Sequence, residues 1–303
     1  GYDTLKAINP NIIYVQQPGW GYTGPYVKYA SYGPIAQAVS GLTEQSGLPA
    51  PHPPAGWGFS YMDWSGAYYC AMTILMAVYY KKRTGRGQYI DCSQVEPGIG
   101  MTGTAVLDHG VNGRSYQRTG NRSPYKPAAP HGAYPCRGEG TAGDRWIVIA
   151  VTSAEEWQAL VQEMGHPDWA EREQFAALAD RVKHQEELDH LVGEWTKDND
   201  PFELQERLQA VGVPAGVCQT AQDRIERDPQ LKHLNWLIPL EHTEIGTWPV
   251  KDIPFHFTNA TVNQGGPTER AAPCYAEDND YVYKELLGLT QAEMDKFEKE
   301  GVI

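Results

Sequence analysis

Helix and strand signals alternate along this chain, which predicts an α/β fold. Three stretches carry the prediction. "LKAINPNIIYVQQ" passes from the end of a helix through an Asn9-Pro10 turn into a short apolar strand, Ile12 to Gln16. "YIDCSQVEPGIGMTGTAVL" reads as a strand entering a helix of small residues, and "DRWIVIAVTSAEEWQALVQEMG" as a buried strand followed by a helix.

After the first strand, "YGPIAQAVSGLTEQSG" predicts a small-residue helix closing near Gly41, and the Pro/Gly-rich "GLPAPHPPAGWGF" leads to Asp63. From Trp64 to Lys82 apolar residues occupy every face, so this helix is expected inside the core. "KKRTGRGQ" ends it: cations suit the C-terminal end of the dipole, and Gly85 and Gly87 supply the turn. Between Gly110 and Pro130 the chain is polar and rich in Gly, Pro and Arg, as in a linker or an active-site loop. Thr152 or Ser153 can cap the next helix, with Glu155 and Glu156 favouring its first turn. Helices are expected at 153–164, 181–197 and 201–211, which makes 119–208 a small α/β domain after a first domain at 1–118. In the segment 209–303 the expected elements are a helix near Ala221 to Asp228, strands at Trp236 to Leu240 and Ile253 to Phe257, and a helical tail from Asp278. No internal repeat is visible.

A chain of 303 residues buries a substantial core. Its net charge of -13 argues against a partner that presents a line of phosphates, so neither nucleic acid nor an anionic membrane is expected. The longest apolar stretch, Ala71 to Tyr80, is too short for a bilayer, and the N-terminus shows no basic region followed by an apolar run. A soluble, cytoplasmic protein is expected. Five widely spaced cysteines without a C-x-x-C pair fit neither a disulfide framework nor structural zinc, and no metal is expected.

Asp63, the one acidic residue at the start of the long helix, has two readings. As an N-cap it would accept from the N–H groups of Ser65 or Gly66. As a carboxylate at a positive helix end it would stay ionised and attack an activated acyl group. A capping carboxylate has its lone pairs occupied, whereas a nucleophile must present one. Local pattern does not decide between them.

Six ordered blocks do bear on it: "LKAINPNIIYVQQPGWGYTGPY", "SYGPIAQAVSGL", "MDWSGAYYCAMTILMAVYYKKRTGRGQYIDCS", "GNRSPYKPAAPHGAYPCRGEG", "DRWIVIAV" and "GVPAGVCQTAQDRIERDPQL". Together they closely resemble the class III CoA-transferases, the group of formyl-CoA transferase and crotonobetainyl-CoA:carnitine CoA-transferase. The resemblance implies a Rossmann-like large domain, incomplete at its N-terminus, to which residues 209–303 return, a smaller α/β domain, and an interlaced dimer or a heteromer with a homologous chain. It places the catalytic nucleophile on Asp63, with CoA carried as substrate and product ester. The implied chemistry is a mixed anhydride on Asp63, an aspartyl-CoA thioester, and a second anhydride with an acceptor carboxylate. Oxyanion stabilisation is expected from backbone N–H groups, with the Trp64 and Ser65 amides as candidates.

Tyr32 falls where formyl-CoA transferase has an active-site tyrosine and where the superfamily's racemases carry histidine. The alternative of an acyl-CoA racemase or isomerase would therefore lack its imidazole. A non-catalytic partner subunit is the other alternative. Arg122, with Arg118 and Lys126, brings positive charge to the loop at 110–130, as solvated cations or as receptors for a carboxylate or a CoA phosphate. His131 is read as structural. Trp20, Tyr22, Tyr26, Trp57, Tyr61 and Trp64 cluster in sequence around Asp63, as packing or as an acyl pocket. The family has a long section ahead of the "LKAINP" block, so the chain is expected to be a fragment or to be completed by another chain. In place of the glycine-rich loop of formyl-CoA transferase stands a segment stiffened by Pro124, Pro127 and Pro130, which points to larger acyl donors such as succinyl-CoA.

Overall fold

The structure, a computed structural model, describes residues 1–56, 58–138, 144–251, 257–259 and 270–303. Two compact units divide it, Gly1–Cys218 and Gln219–Ile303. The first opens with helix α1 (Tyr2–Ile8), strand β1 (Ile13–Gln16), α2 (Gly33–Val39), the long α3 (Tyr61–Thr84), β2 (Gln88–Asp91), α4 (Val95–Met101) and α5 (Gly103–Asn112). It continues with β3 (His131–Cys136), β4 (Arg145–Ala150), α6 (Ala154–Glu163), α7 (Glu173–Ala176), α8 (Leu178–Lys183), α9 (Gln185–Thr196), α10 (Pro201–Ala210) and β5 (Ala215–Val217).

β1 and β2 pair in parallel, Ile13 opposite Gln88 and Gln16 opposite Asp91, so α2 and α3 form the crossover that a parallel pair requires. The pairing extends beyond the strands: Cys92 N–H donates to Gln16 O (2.9 Å), Gln94 N–H to Pro18 O and Val95 N–H to Gly19 O (3.1 Å each). Small residues then let α2, α3 and α4 approach closely. A Cβ on Gly98 would stand 2.5 Å from Ser40 Cβ, and one on Gly66 would stand 3.1 Å from both Gln94 Cγ and Gln17 Nε2. Ala36, Met62 and Val95 close the small core between these helices.

The long helix is not buried on all sides as expected. α3 is apolar on every side, yet it buries only a stripe, Met62, Gly66, Cys70 and Ala77. Leu75, Met76 and Tyr79 on its other sides are more than 60% exposed. The reason is geometric: a two-stranded sheet and two short helices cover one side of a 24-residue helix and leave the others open.

The larger core lies over one face of the antiparallel sheet β3-β4-β5. Tyr134, Cys136, Ile147 and Ile149 point into it against Trp157 and Leu160 of α6, Leu188 and Val192 of α9, and Leu204 and Leu208 of α10. Trp146 and Val148 of the same apolar run are half exposed, so the strand expected to be buried is buried on one face. Ser153 and Glu156 form the capping box that opens α6. The helix expected over 181–197 is two helices, broken where His184 leaves helical geometry (φ -103, ψ 24). The guanidinium of Arg181 is buried 4.7 Å from the Trp157 ring centroid, and its Nε donates to Ala129 O (2.9 Å). Strand β3 was not expected, because "HGAYPC" contains Gly132 and Pro135; Pro135 is tolerated since β3 is an edge strand.

Tyr134 and Asp189 make a pH-sensitive pair in this core. The Tyr134 hydroxyl donates to Asp189 Oδ1 (2.6 Å), and burial raises the Asp189 carboxyl above its ordinary 3.8, outweighing the hydrogen bond from Tyr134 and the charges of Arg122 and His131. The folded state therefore holds this proton more tightly than the unfolded chain. Its contribution is fully present below about pH 4 and is lost as pH rises through the raised value. Asp189→Asn keeps an acceptor for Tyr134, so the variant should gain stability relative to wild type between pH 4 and pH 7, measured by urea unfolding at both. A relative loss over that interval would contradict the account.

The second unit contains α11 (Ala221–Glu226), α12 (Pro229–His233), the hairpin β6 (Leu237–His242) and β7 (Gly246–Lys251), a π-helical turn (Asp280–Leu286) and α13 (Gln291–Lys299). Apart from Phe257, the strand expected at 253–257 lies outside the described residues. The five cysteines are free thiols. Among the described residues no helix is long and apolar enough to cross a membrane, and no group of three or more His, Cys, Asp or Glu side chains is placed to hold a metal ion.

Candidate active site

The Asp63 carboxylate is positioned by the glycine-mediated contacts of α2, α3 and α4. α3 begins at Tyr61 with Ser60 as its N-cap, and Ser60 makes no side-chain cap hydrogen bond. Asp63 is therefore the third helical residue, which corrects the expected boundary and removes the capping reading. Its side chain is exposed. Oδ1 accepts a hydrogen bond from Gln94 Nε2 at 3.0 Å. Oδ2 faces the start of α2, where a Cβ on Gly33 would stand 2.9 Å away and would also meet Ser60 Cβ and Oγ at 2.5 Å.

Tyr32 is the N-cap residue of α2, so the Gly33 contact brings its backbone beside Asp63, while its ring is 71% exposed. Trp64 follows Asp63 in the helix, and its indole stacks on Phe59 with centroids 5.9 Å apart. The earlier helix start places the Trp64 and Ser65 amides within the helical ladder, one turn past its open end, so they are not the free donors expected.

Arg122 is held elsewhere. Its Nη2 bonds Glu186 Oε1 of α9 at 2.9 Å, and its charge also acts on Asp189, one turn further along the same helix. With Asn121, His131 and the β3-β4-β5 strands it lines a cavity of about 720 Å³. Arg118 is a clamp: its guanidinium bonds Glu44 Oε1 (2.6 Å), Leu48 O (3.1 Å) and His52 O (2.8 Å), tying two loops together. His131 Nδ1 bonds Asn121 O, in keeping with a structural role.

The aromatic residues divide. Trp20 packs edge-on against Tyr26 and both line a cleft of about 420 Å³ with Asp91 and Ser93, whereas Tyr22 joins Tyr89. Trp57 lies outside the described residues. The residue that sequence reasoning missed is Gln94. It lies 31 positions from Asp63, and only the β1–β2 pairing and the small side of α3 bring the two together.

Against known proteins, residues 1–279 match the model of CoA-transferase family III. The chain belongs to that family. It is 30% identical over 303 residues to the succinyl-CoA–D-citramalate CoA-transferase of Chloroflexus aurantiacus, covering all of this chain and 72% of that protein. It is 25% identical over 304 residues to the beta subunit of the succinyl-CoA–L-malate CoA-transferase of the same organism, again covering all of this chain and 72% of the relative. Among solved structures, a CAIB/BAIF family protein from Brucella suis superposes with a TM-score of 0.82 at 28% identity, over 94% of this chain and 71% of that one. Its α/β fold is thus that of the CAIB/BAIF proteins, and its activity is CoA transfer, with CoA as a substrate.

Proposed function

We propose that this chain moves CoA from an acyl-CoA donor, succinyl-CoA in the first instance, to a carboxylic acid acceptor through covalent intermediates on Asp63. The observation that carries the reading is that the Asp63 carboxylate stands exposed on the first turn of α3, past the N-cap position that Ser60 occupies, with Oδ1 accepting from Gln94 Nε2. A carboxylate presented in this way is the nucleophile that thioester exchange requires.

The proposed sequence conserves the activated acyl bond throughout. One Asp63 oxygen attacks the thioester carbonyl and expels CoA thiolate, giving a mixed anhydride. The thiolate attacks Cγ of Asp63 and releases the donor acid, leaving an aspartyl-CoA thioester. The acceptor carboxylate attacks the same carbon, frees the thiolate, and the thiolate collects the acceptor's acyl group from the second anhydride. Tyr32, Trp64 and Arg122 are proposed as substrate contacts.

Succinyl-CoA as donor is supported by the names of two relatives and by the proline-stiffened loop at 124–130. An obligate dimer, or a heteromer with a homologous chain, is supported by the apolar sides of α3, a large exposed patch of the kind that marks an interaction surface, and by a relative named as a subunit. Cytoplasmic placement is proposed on the five free thiols. The test is rapid quenching after mixing with succinyl-CoA, followed by peptide mass spectrometry. A CoA adduct on the Asp63 peptide is expected. Transfer without any adduct there would exclude the mechanism.

A further inference from the structure

The Asp63–Gln94 contact assigns a role to a residue that neither motif nor family resemblance singled out. We infer that Gln94 is the oxyanion donor for the two steps in which Asp63 itself is the acyl group under attack. This rests on the aspartyl mechanism proposed above and adds the group that stabilises it.

An ionised carboxylate only accepts hydrogen bonds, so the Gln94 amide must present its NH2 group to Oδ1, as observed at 3.0 Å. The bond leaves Oδ2 as the oxygen that attacks the donor thioester; its attack breaks the C–S bond and CoA leaves as thiolate. Oδ2 is then the bridging oxygen of the anhydride and Oδ1 its carbonyl oxygen. When the thiolate sulfur attacks Cγ, the C=O π pair moves onto Oδ1. Collapse breaks the Cγ–Oδ2 bond, and the donor acid departs carrying Oδ2. When the acceptor carboxylate attacks Cγ of the resulting thioester, the charge again builds on Oδ1 before the C–S bond breaks. In both tetrahedral species the negative oxygen is the one already facing Gln94 Nε2.

The surroundings fix that donor in advance of the reaction. The Gln94 backbone is tied to Pro18 through its own N–H (3.1 Å), and Val95 N–H is tied to Gly19. Its side-chain stem passes over Gly66, one turn beyond Asp63 on the same face of α3, where any side chain would meet Gln94 Cγ at 3.1 Å. Gln94 is half-buried. A donor set before the charge develops needs no reorganisation, which is the source of oxyanion-hole catalysis. With the Trp64 and Ser65 amides inside the helical ladder, a side-chain donor fills the role expected of the backbone.

The experiment uses the full chain with succinyl-CoA and compares wild type, Gln94→Met and Gln94→Glu. Gln94→Met keeps length and removes the donor. It should lower kcat about a hundred- to a thousand-fold with little change in KM for the acyl-CoA. The CoA adduct on Asp63 should form more slowly by a similar factor. The first anhydride still forms, so hydroxylamine should intercept the donor acyl group as its hydroxamate, with Asp63 carboxylate as the leaving group.

Gln94→Glu adds a readout that a merely structural role would not move. In the anhydride and the thioester Asp63 is acylated and uncharged, so the new carboxyl donates to Oδ1 only while it holds its own proton. Activity should therefore be higher on the acid side and fall as pH rises through the pKa of that new carboxyl, whereas Gln94→Met stays low at every pH. If Gln94→Met is unfolded by circular dichroism, the pH profile of Gln94→Glu decides. An adduct forming at the wild-type rate in a folded Gln94→Met, or a Gln94→Glu profile without the alkaline decline, overturns the assignment and leaves the Asp63 mechanism standing. Absence of the adduct in wild type overturns both.

Discussion

Asp63→Asn is expected to reduce CoA transfer by at least about a thousand-fold while the chain remains folded. The amide keeps an oxygen to accept from Gln94 Nε2, so the 3.0 Å contact and the packing of α3 on α4 have no reason to change. The charge that attacks the thioester is lost. Asp63 is exposed and lies in the first turn of α3, so the stability lost with its charge is limited to the dipole interaction, about 0.3–1 kcal/mol. Asp63→Glu should also fail, by about a hundred-fold, because the longer side chain carries the carboxylate out of register with Gln94 and with Gly33, and misplacement near 1 Å has that consequence. Steady-state transfer assays with a matched urea melt separate these effects. Undiminished transfer by Asp63→Asn would leave the chain as a subunit that completes another chain's site.

The parts of this picture legible in the sequence are those written locally. The cap at Thr152 or Ser153, which the structure places on Ser153, the glycine turn ending α3, and the alternation of helix and strand depend on neighbours within a few residues. The six ordered blocks carried the family, which the match over residues 1–279 shows. What was hidden is non-local. Gln94 has no motif of its own; it reaches Asp63 because β2 pairs with β1 and Gly66 leaves room. The exposure of Leu75, Met76 and Tyr79 could not be read from an all-apolar pattern, since periodicity reports which faces are apolar and not what covers them. Strands β3 and β7 were masked by Pro135 and Pro249, residues that demote a strand signal but are accepted at edges.

Gly87→Ala should be the most destabilising small substitution in the first unit, by about 2–4 kcal/mol, although it adds a single methyl group. Gly87 sits where the "TGRGQ" turn enters β2, and a Cβ there would lie 2.1 Å from Ile12 O, 2.4 Å from Asn11 C and 2.5 Å from Asn11 O. All three atoms are backbone, so no rotamer change relieves the clash. The strands must separate at the Ile13–Gln88 end of their register. That displacement runs along β2 toward Cys92 and Gln94, whose N–H groups bond Gln16 O and Pro18 O, so activity should fall along with stability. Gly85→Ala, two residues earlier, is the informative control. Gly85 has a left-handed φ of 73° and open space around its Cβ direction, so its substitution involves conformational strain alone, about 1–2 kcal/mol, with kcat preserved. Urea unfolding and transfer assays on the two variants test the distinction. If Gly85→Ala proved the more damaging, the turn's backbone conformation rather than the close approach of β2 to β1 would be what holds the nucleophile's neighbour in place.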